Sequence, residues 1–392
     1  MLWEDISWIQ PGPCAWDPWW TGVNPHFTEH EGLWARGSTQ AHKDYIDLAA
    51  EMGWPYQLVD WFWYRNMSSY EVLLNKGGQH EPSPPVDFAQ SLPHIDLPEI
   101  FKHAKRKGVR LIIWLHSYDL DRYGIDRACR LFADMGAAGL KIDFMNSDSQ
   151  ETMKWYEKVV RTAAKHQLLI DFHGACKPTG LARTYPNYIT QEGVLGNEYN
   201  KLEGNLCTPL HTITLPFTRG LLGPMDFTPG GFLAVSESDF EITSPTRVMG
   251  TRARQLAMPI VYESPLTVFC DSPKNYRGQP GIEFYRSLPT VWDETVVLSA
   301  EVCQHLVLAR RSGKRWYLAA MNGKTPLSLQ VPLEFLEPGK WSIRSFADGS
   351  DVAKDPNQIS EKQQVITSNT RWEFALAPAG GFAAIITPLP QH

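Results

Sequence analysis

Apolar and polar residues alternate along this chain with two different periods, and the two periods take turns between residues 96 and 191. Apolar positions spaced three and four residues apart predict helices, and the short apolar runs between them predict buried strands. The predicted helices span 97–107, 125–135 and 150–166, and the predicted strands span 109–116, 139–145, 168–173 and 188–191. Strands that alternate with helices through short connections indicate a parallel sheet.

The same alternation continues on both sides of this region. Helices are predicted over 39–52 and 244–257, and a long Pro-rich loop over 65–94 follows a strand over 56–64. Candidate strands lie near residues 5, 56, 109, 140, 168, 188, 224 and 259. Eight strands with intervening helices predict an α/β fold of the (β/α)8 TIM barrel type.

After residue 289 the pattern changes to short strands separated by Gly, Pro, Asn and Asp turns. These strands are predicted over 305–310, 316–321, 327–331, 340–346, 371–376 and 381–387. This pattern predicts a C-terminal antiparallel β-sandwich. We therefore expect two domains, a catalytic barrel over 1–289 and a sandwich over 290–392, and we assign no catalysis to the sandwich.

Polar residues recur where the predicted barrel strands end. They are Asp17, Asp60, His116, Asp143, His173, Glu192, Glu198 and Asp226. Because the active sites of TIM barrels lie at the carboxyl ends of the strands, we expect these side chains at one rim. Lys141 precedes Asp143 by two residues and therefore points to the same face of its strand. Such a pair either grips a substrate or forms an internal salt bridge, and the pattern alone leaves both interpretations open.

The composition narrows the class of substrate. The formal net charge is −6 and no long basic run occurs, which argues against nucleic acid and favours a neutral or cationic small molecule. Aromatic residues make up 12% of the chain, with 15 tryptophans, and such rings stack on the apolar faces of sugars. Carboxylates ringed by Trp16, Trp20, Trp61, Trp63 and Trp114 fit glycoside hydrolysis, in which one carboxylate attacks or activates water and another donates a proton.

Other chemistries are less well supported. The sequence contains no G-x-S-x-G, no G-x-G-x-x-G that opens a helix and no G-x-x-x-x-G-K-[ST]. His116 and His173 could instead ligate a metal in an amidohydrolase-like site, but the first predicted strand lacks the His-x-His pair that such a site requires. A barrel that binds sugar without turning it over is a further interpretation that stays open.

The remaining composition concerns redox state and location. The six cysteines are scattered, and we expect free core thiols. No apolar run reaches the ~18 residues of a membrane span, and the amino terminus Met1-Leu-Trp-Glu-Asp lacks the basic and apolar segments of a signal peptide. We therefore expect a soluble chain with no membrane partner, and the cellular compartment stays open.

Five motifs occur in order along the chain. They are Asp5-Ile-Ser-Trp-Ile-Gln-Pro-Gly12 with Trp16-Asp17, Lys141-Ile-Asp143-Phe-Met145, Phe172-His-Gly-Ala175 with Lys177-Pro-Thr-Gly180, Glu192-Gly-Val-Leu-Gly-Asn-Glu198-Tyr-Asn200, and Pro224-Met-Asp226-Phe-Thr-Pro229. Together they resemble the barrel of glycoside hydrolase family 97. The resemblance continues through the predicted sandwich and so covers nearly the whole chain.

The resemblance implies that Asp143 is the nucleophile of a retaining glycosidase and that Glu198 is its general acid/base. It also implies that Glu192 and Glu198 bind calcium. Inverting members, which act on α-glucosides, are expected to carry a glutamate base directly after the histidine that matches His173, where this chain has Gly174. The implied activity is therefore retaining exo-hydrolysis of terminal α-galactosides, extending to β-L-arabinopyranosides. An inverting α-glucosidase of the same family is the alternative.

The other expected site residues follow from position. Lys141 is expected to hold a sugar hydroxyl and to keep Asp143 ionised, because a neighbouring ammonium lowers the pKa of a carboxylate. Strand-end position makes further residues candidates for contact with the substrate. They are Asp60, Trp114, His173 and Asp226, with Trp16 as a sugar-stacking ring.

One departure from the family pattern carries expectations of its own. Family members usually have an amino-terminal β-sandwich before the barrel, and this chain starts within the predicted barrel. A glutamate from that sandwich is expected to complete the calcium site, so we expect the site here to be incomplete. We also expect the barrel surface that the sandwich would cover to be apolar and to favour a homo-oligomer.

Overall fold

The structure is a computed structural model that describes residues 5–22, 37–61, 63–67, 85–202, 206–286 and 288–390. The chain divides into two compact units. The first unit contains Met1–Val194, Leu222–Phe227 and Ser264–Pro273, and the second contains Leu195–Leu221, Thr228–Glu263 and Lys274–His392. The expected domain boundary after residue 289 stays a prediction.

Strands and helices are numbered here in chain order. The strands are β1 Gly12–Ala15, β2 Tyr56–Val59, β3 Arg110–His116, β4 Gly139–Asp143, β5 Leu169–Phe172, β6 Tyr188–Gln191, β7 Ala234–Val235, β8 Val248–Met249, β9 Leu266–Phe269, β10 Glu294–Glu301, β11 His305–Ser312, β12 Arg315–Asn322, β13 Leu327–Pro332, β14 Trp341–Asp348, β15 Ile359–Ile366, β16 Arg371–Leu376 and β17 Gly381–Pro388. The helices are α1 Trp19–Gly22, α2 Thr39–Met52, α3 Leu97–Lys107, α4 Ser117–Tyr123, α5 Ile125–Met135, α6 Gln150–Lys165, α7 Tyr199–Leu202, α8 Pro209–Thr214, α9 Arg252–Val261, α10 Pro273–Tyr276 and α11 Ile282–Arg286.

The first unit is built on a parallel sheet with the strand order β6-β5-β4-β3-β2-β1-β9. The segment Leu222–Phe227 follows β6, where the Asp226 amide donates to the Gln191 carbonyl at 2.8 Å without forming a regular strand. Thr190 in β6 and Ser264, two residues before β9, hydrogen-bond through their hydroxyls at 2.8 Å. The predicted barrel fold is confirmed, but irregular chain replaces the strand predicted near residue 224.

The best-predicted helices begin and end with strong local signals. Ser38 caps α2 by accepting from the Ala41 amide, and Gly53 ends it in the left-handed conformation with φ 72°. Asp96 caps α3 in the same way, and Gly108 ends it, also with φ 72°. These caps explain why the predicted bounds 39–52 and 97–107 are confirmed.

Two more predicted strands of the first 265 residues are wrong. The predicted strand near residue 259 is the end of α9, whose ten residues are all buried. Its last six residues, 256–261, are apolar without a polar position between them, so periodicity cannot tell this run from a strand. The correct strand is β9, and α9 also begins later than the predicted helix over 244–257, after its cap Thr251.

The predicted first strand over residues 5–9 is also wrong. The Asp5 side chain accepts from both the amide and the hydroxyl of Ser7, which closes a local turn in place of a sheet ladder. Pairing starts at Gly12 in β1, next to β9. Most of the predicted loop over 65–94 lies outside the described residues.

The second unit contains the predicted β-sandwich. Six antiparallel strands form one sheet in the order β10-β11-β12-β17-β14-β15, and β13 pairs with β16. An apolar cluster that includes Ile343, Phe374 and Phe382 forms its core. The prediction missed β10 and β15, the two edge strands, because edge strands carry little of the apolar alternation that marks a buried strand: five consecutive residues of β15 are exposed.

The described residues bear on the expected membrane spans and on the expected state of the cysteines. Among them, no helix is both long enough and apolar enough to cross a membrane. All six cysteines are free, and four of them are buried as expected for core thiols. Cys303 is exposed and Cys176 is partly buried, so the core expectation is wrong for Cys303.

Candidate active site

Strand β4 brings Lys141 and Asp143 to the carboxyl end of the parallel sheet, and both side chains are buried. The register pairs Lys141 with Trp114 of β3 on one side and with Asp171 of β5 on the other. His116 lies opposite Asp143. The period-two pattern therefore predicted the face of β4 correctly, and the parallel register collects one cation, two acids and two aromatic rings at one place.

Asp60 anchors Lys141. The Lys141 ammonium donates to Asp60 Oδ2 at 2.8 Å, and the Trp16 indole N–H donates to the same oxygen. The other Asp60 oxygen accepts from the Trp61 amide at 2.7 Å. Lys141 Nζ also lies 5.0 Å from the centroid of the Trp16 ring, within the range of a cation–π contact. The structure brings these predicted residues together, while their contact with a substrate stays a prediction.

The Asp143 carboxylate is held through both oxygens. Trp114 Nε1 donates to Oδ2 at 3.0 Å, and the Phe144 amide donates to Oδ1 at 2.7 Å. Burial raises the pKa of Asp143 to about 6, although the Lys141 ammonium and both hydrogen bonds lower it. The expected effect of Lys141 is thus present but smaller than that of burial. A pKa near 6 still leaves the carboxylate mostly ionised at neutral pH, the state in which it can act as a nucleophile.

Asp171 was missed as a site residue. It lies on β5 with only 2% of its surface exposed, next to the equally buried Asp226. Burial and the neighbouring Asp226 raise the pKa of Asp171 well above its usual range. Two neighbouring buried carboxyl groups favour the state in which one of them holds a proton, because two negative charges would repel each other. The sequence did contain a signal, because Asp171 has the same strand parity as the predicted His173.

His173 connects the two acid groups. Its Nδ1 lies 3.8 Å from Asp143 Oδ2, and its Nε2 lies 3.6 Å from Asp226 Oδ2. Burial and the Lys141 ammonium lower the pKa of His173 well below its usual range, which keeps the imidazole neutral. A neutral imidazole can donate from one nitrogen and accept at the other.

Gly174 and Glu192 complete the part of the site in the first unit. The Gly174 amide donates to Glu192 Oε2 at 2.7 Å, and Glu192 Oε1 lies 3.6 Å from His173 Nδ1. Glu192 is buried, which is unusual for a glutamate without a specific role. Its carboxylate therefore has a fixed position next to the imidazole.

Two family models match the chain in sequence order. The model of glycoside hydrolase 97 matches residues 19–194, and the model described as glycosyl-hydrolase 97 C-terminal, oligomerisation, matches residues 291–387. The chain belongs to glycoside hydrolase family 97. The first match contains Asp60, Lys141, Asp143, His173 and Glu192, so most of the side chains described above lie within it.

Two curated relatives of this family-97 chain have similar names. One is the retaining alpha-galactosidase of Bacteroides thetaiotaomicron, 33% identical over 386 residues, which is 97% of this chain and 54% of the relative. The other is a probable retaining alpha-galactosidase of Streptomyces bingchenggensis, 33% identical over 383 residues, which is 97% of this chain and 53% of the relative. The chain thus spans about half the length of the curated relatives it matches.

Solved structures agree with the family. A family 97 enzyme from Pseudoalteromonas sp. strain K8, in complex with acarbose, has a TM-score of 0.84 and 28% identity, and the match covers 99% of this chain and 62% of that one. A beta-arabinopyranosidase has a TM-score of 0.72 and 26% identity, and the match covers 96% of this chain and 56% of that one.

Glu198, the other residue that the family resemblance singled out, belongs to the second unit. It immediately precedes α7, is partly buried, and its carbonyl accepts from the Lys201 amide at 2.9 Å. The neighbouring Asn197 fixes this turn by donating to the Thr228 carbonyl and to Gln255 Oε1, each at 3.0 Å. The roles of Glu198 in acid/base chemistry and calcium binding stay predictions.

Two further strand-end residues of this family-97 chain have local structural contacts. Asp17 accepts from the amides of Trp19 and Asp60 at 2.8 Å each, and burial, followed by the charge of Asp60, raises its pKa well above the usual range. His116 Nδ1 accepts from the Tyr118 amide at 2.9 Å and caps α4, and burial lowers its pKa to about 4. The cap contact gives His116 a structural role that does not require a metal.

Proposed function

We propose that this chain is a retaining exo-glycosidase that releases terminal α-galactosyl groups through a covalent glycosyl-enzyme. The observation that carries this proposal is the placement of Asp143 at the end of β4, buried and held by two N–H donors. The names of the two curated relatives support α-galactosides as substrates. Similarity to a beta-arabinopyranosidase supports β-L-arabinopyranosides as a second substrate.

In the first step Asp143 attacks the anomeric carbon while the bond from that carbon to the leaving oxygen breaks. Glu198 gives its proton to the leaving oxygen, so the aglycone departs as a neutral alcohol. The hydrogen bonds from Trp114 and Phe144 fix the direction of the Asp143 carboxylate. A nucleophile held in place needs less reordering before it reacts.

In the second step Glu198 takes a proton from water, and the water oxygen replaces Asp143 on the anomeric carbon. Two inversions at one carbon give net retention, so an α-galactoside releases α-galactose first. Lys141, anchored by Asp60, would hold a sugar hydroxyl through a charge-assisted hydrogen bond. Because Asp60 fixes the ammonium through a buried contact, Lys141 can place that hydroxyl without ordering its own side chain.

Calcium is part of the proposal, with Glu192 and Glu198 as its ligands. Calcium prefers oxygen ligands, and the buried Glu192 carboxylate fits this preference. One Glu192 oxygen already accepts from the Gly174 amide, which orients the carboxylate without neutralising it. When bound, calcium would supply positive charge at the rim of the barrel and could be coordinated by the hydroxyl oxygens of the sugar.

A homo-oligomer is also proposed. The family model that matches residues 291–387 names oligomerisation in its description. The sequence predicts a different route, self-association through an uncovered barrel surface. Size-exclusion chromatography with light scattering, on wild type and on a Val297→Asp variant of the exposed β10 edge, separates these routes, because a change at Val297 would disrupt only the sandwich route.

The test of the function compares hydrolysis of para-nitrophenyl α-galactoside, α-glucoside and β-L-arabinopyranoside. Proton NMR of the galactoside reaction then identifies the first sugar released. We expect the α-galactoside to be the best substrate and α-galactose to appear before mutarotation. Initial β-galactose would overturn the mechanism and make Asp148, Asp171 or Asp226 the candidate base. Galactose binding without turnover of any substrate would favour a sugar-binding barrel, and preference for the α-glucoside with inversion would favour the inverting branch.

A further inference from the structure

Gly174 lies directly after β5 and touches the loop that carries Asp143. Its φ is +56°, a conformation that residues with a side chain rarely adopt. A Cβ added at Gly174 would lie 2.8 Å from Asp143 Oδ1 and 2.7 Å from the Phe144 amide nitrogen. Those two atoms form the hydrogen bond that holds Asp143 Oδ1. A side chain at residue 174 would therefore collide with the bond that orients the Asp143 carboxylate.

The backbone at Gly174 is fixed in place from two sides. Its amide donates to Glu192 Oε2 at 2.7 Å, and its carbonyl accepts from the Asn146 amide at 3.1 Å. Moving Gly174 away from Asp143 would lengthen both hydrogen bonds. The strand-end loop is constrained as well, because Phe144 and Asn146 have φ values of +65° and +49° without being glycine. Of the three atoms that the added Cβ would meet, two belong to the Phe144 backbone, at 2.7 and 3.0 Å, and only Asp143 Oδ1 belongs to a side chain. Asp143 Oδ1 is therefore the one that can move without moving the backbone.

We propose that Gly174 is a positioning residue: the space left by its missing side chain seats the Asp143 carboxylate, so a side chain at residue 174 displaces that carboxylate. This inference rests on the proposed function for its catalytic meaning. It also gives a physical reason why a nucleophile at 143 and a base at 174 exclude each other in one barrel. Gly174→Glu alone is therefore expected to produce neither a retaining nor an inverting enzyme.

The main test is Gly174→Ala, with Gly108→Ala as its matched control. Gly108 also has a positive φ, +72°, but a Cβ there would meet nothing within 4 Å. Both variants therefore carry backbone strain, and only Gly174→Ala adds the collision. We expect Gly108→Ala to lower the melting temperature by roughly 1–3 °C and leave kcat/KM unchanged. We expect Gly174→Ala to lower kcat at least about 100-fold with a smaller change in KM, because a nucleophile displaced by 1 Å loses about that much.

Two measurements distinguish a displaced Asp143 carboxylate from a general loss of folded structure in Gly174→Ala. The Phe144 hydrogen bond favours the ionised carboxylate, so its loss should move the acidic limb of the pH profile of kcat/KM upward in Gly174→Ala. A crystal structure of the variant should show that Asp143 Oδ1 has left the Phe144 amide. An unshifted acidic limb together with an intact Asp143–Phe144 hydrogen bond would overturn the proposal.

A stability cycle covers the case in which Gly174→Ala does not fold. Asp143→Gly removes the carboxylate, so Gly174→Ala should lower the melting temperature less in the Asp143→Gly background than in wild type. If only the double variant folds, the proposal is supported. If the loss is equal in both backgrounds, or the double variant also fails to fold, the collision involves the backbone alone and the proposal fails. This cycle needs no turnover, so it tests the role of Gly174 even if the wild-type protein is inactive. An inactive wild-type protein would refute the proposed function and not the proposal about Gly174.

Discussion

Two buried regions of the molecule differ in chemistry. One is the barrel floor, by which we mean the buried cluster of Lys141, Asp143 and Asp171 at the carboxyl end of the parallel sheet. The other is the core of the C-terminal sandwich. The sandwich core is a cluster of buried apolar side chains that includes Ile343, Phe374 and Phe382. The barrel floor buries Lys141 and Asp171 beside Asp143. Burying charge lowers stability unless each group is paired, whereas burying apolar surface raises it. The sandwich core therefore stabilises the folded protein. The barrel floor lowers the stability of the folded protein and, in return, holds charged groups in fixed positions for the reaction.

The largest effect that this comparison predicts is the loss of turnover in Asp143→Gly. Removing the nucleophile should lower kcat by roughly 10⁴-fold or more, while stability should change little because the buried carboxylate is itself unfavourable. Added azide should restore turnover of an activated galactoside by filling the cavity left by Asp143. The matched control is the exposed Asp148→Gly, which should keep wild-type activity. Near-wild-type turnover in Asp143→Gly would show that Asp143 is not the nucleophile.

Lys141→Met tests whether the buried cation is needed for both stability and chemistry. Asp60 would lose its buried partner, so the free energy of unfolding should fall by about 3–5 kcal/mol, and kcat/KM should fall at least about 100-fold. The double variant Lys141→Met/Asp60→Asn removes the unpaired charge. Chemical denaturation should show recovered stability in the double variant, and kinetics should show no recovery. Restored activity would mean that Lys141 serves only as the counter-ion of Asp60.

Phe374→Ala tests the sandwich side of the comparison. Phe374 is 1% exposed and packs edge-on against Phe382, with ring centroids 4.9 Å apart. Its truncation should lower the free energy of unfolding by about 3–5 kcal/mol through the cavity it leaves. Below the unfolding transition kcat/KM should stay at the wild-type value. Val365→Ala, on the exposed edge strand β15, is the control and should change stability by less than about 0.5 kcal/mol. A loss of kcat/KM in folded Phe374→Ala would give the sandwich a part in catalysis.

The same contrast explains what the sequence could and could not predict. Period-two alternation and helix caps depend on neighbours in the chain, so α2, α3, β6 and the sandwich strand β16 were predicted with their observed bounds. The wrong elements lie where burial on all sides removes the pattern, as in α9.

In the site, too, the sequence predicted residues that lie close together in the chain and missed contacts between residues that lie far apart in it. Asp143 and Lys141 were predicted because one strand carries both. The pairing of Asp171 with Asp226, the anchoring of Lys141 by Asp60, and the contact of Gly174 with Asp143 join distant parts of the chain. Such contacts arise from strand register and loop geometry, which a pattern along one segment does not contain.

The pH dependence gives a finer test of the buried acid. Because burial sets the pKa of Asp143 at about 6, kcat/KM should fall about tenfold per pH unit below that value, as the nucleophile takes up a proton. Trp114→Phe removes a donor to the carboxylate, so the acidic limb should move to higher pH in that variant. A limb near pH 4 in wild type would show that burial does not dominate.

The sign for stability is opposite to that for activity. The folded-state pKa of Asp143 lies above its usual 3.8, so the folded protein binds the proton more tightly than the unfolded chain. The stability that comes from this proton is complete below pH 3.8 and is lost as the pH rises through about 6. Asp143→Asn, which is neutral at every pH, should therefore gain stability over wild type at pH 7.5 relative to pH 4.5, as measured by urea unfolding. An equal difference at both pH values would contradict the assigned shift.

The smallest expected effect concerns calcium. Calcium takes six to eight oxygen ligands, so the two proposed glutamates alone should hold an ion that exchanges readily. Chelation of the purified protein should therefore remove it, and calcium at about 100 times its Kd should add back about 2.7 kcal/mol of stability. Glu192→Gln is the sharpest control, because its amide oxygen can still accept from the Gly174 amide while the charge is gone. That variant should fold and show no calcium response in melting temperature. An equal response in wild type and Glu192→Gln would place any calcium elsewhere. Calcium that survives chelation would mean that groups other than the two glutamates complete a tight site. In that case the buried negative charge of Glu192 would be paired with a tightly held cation.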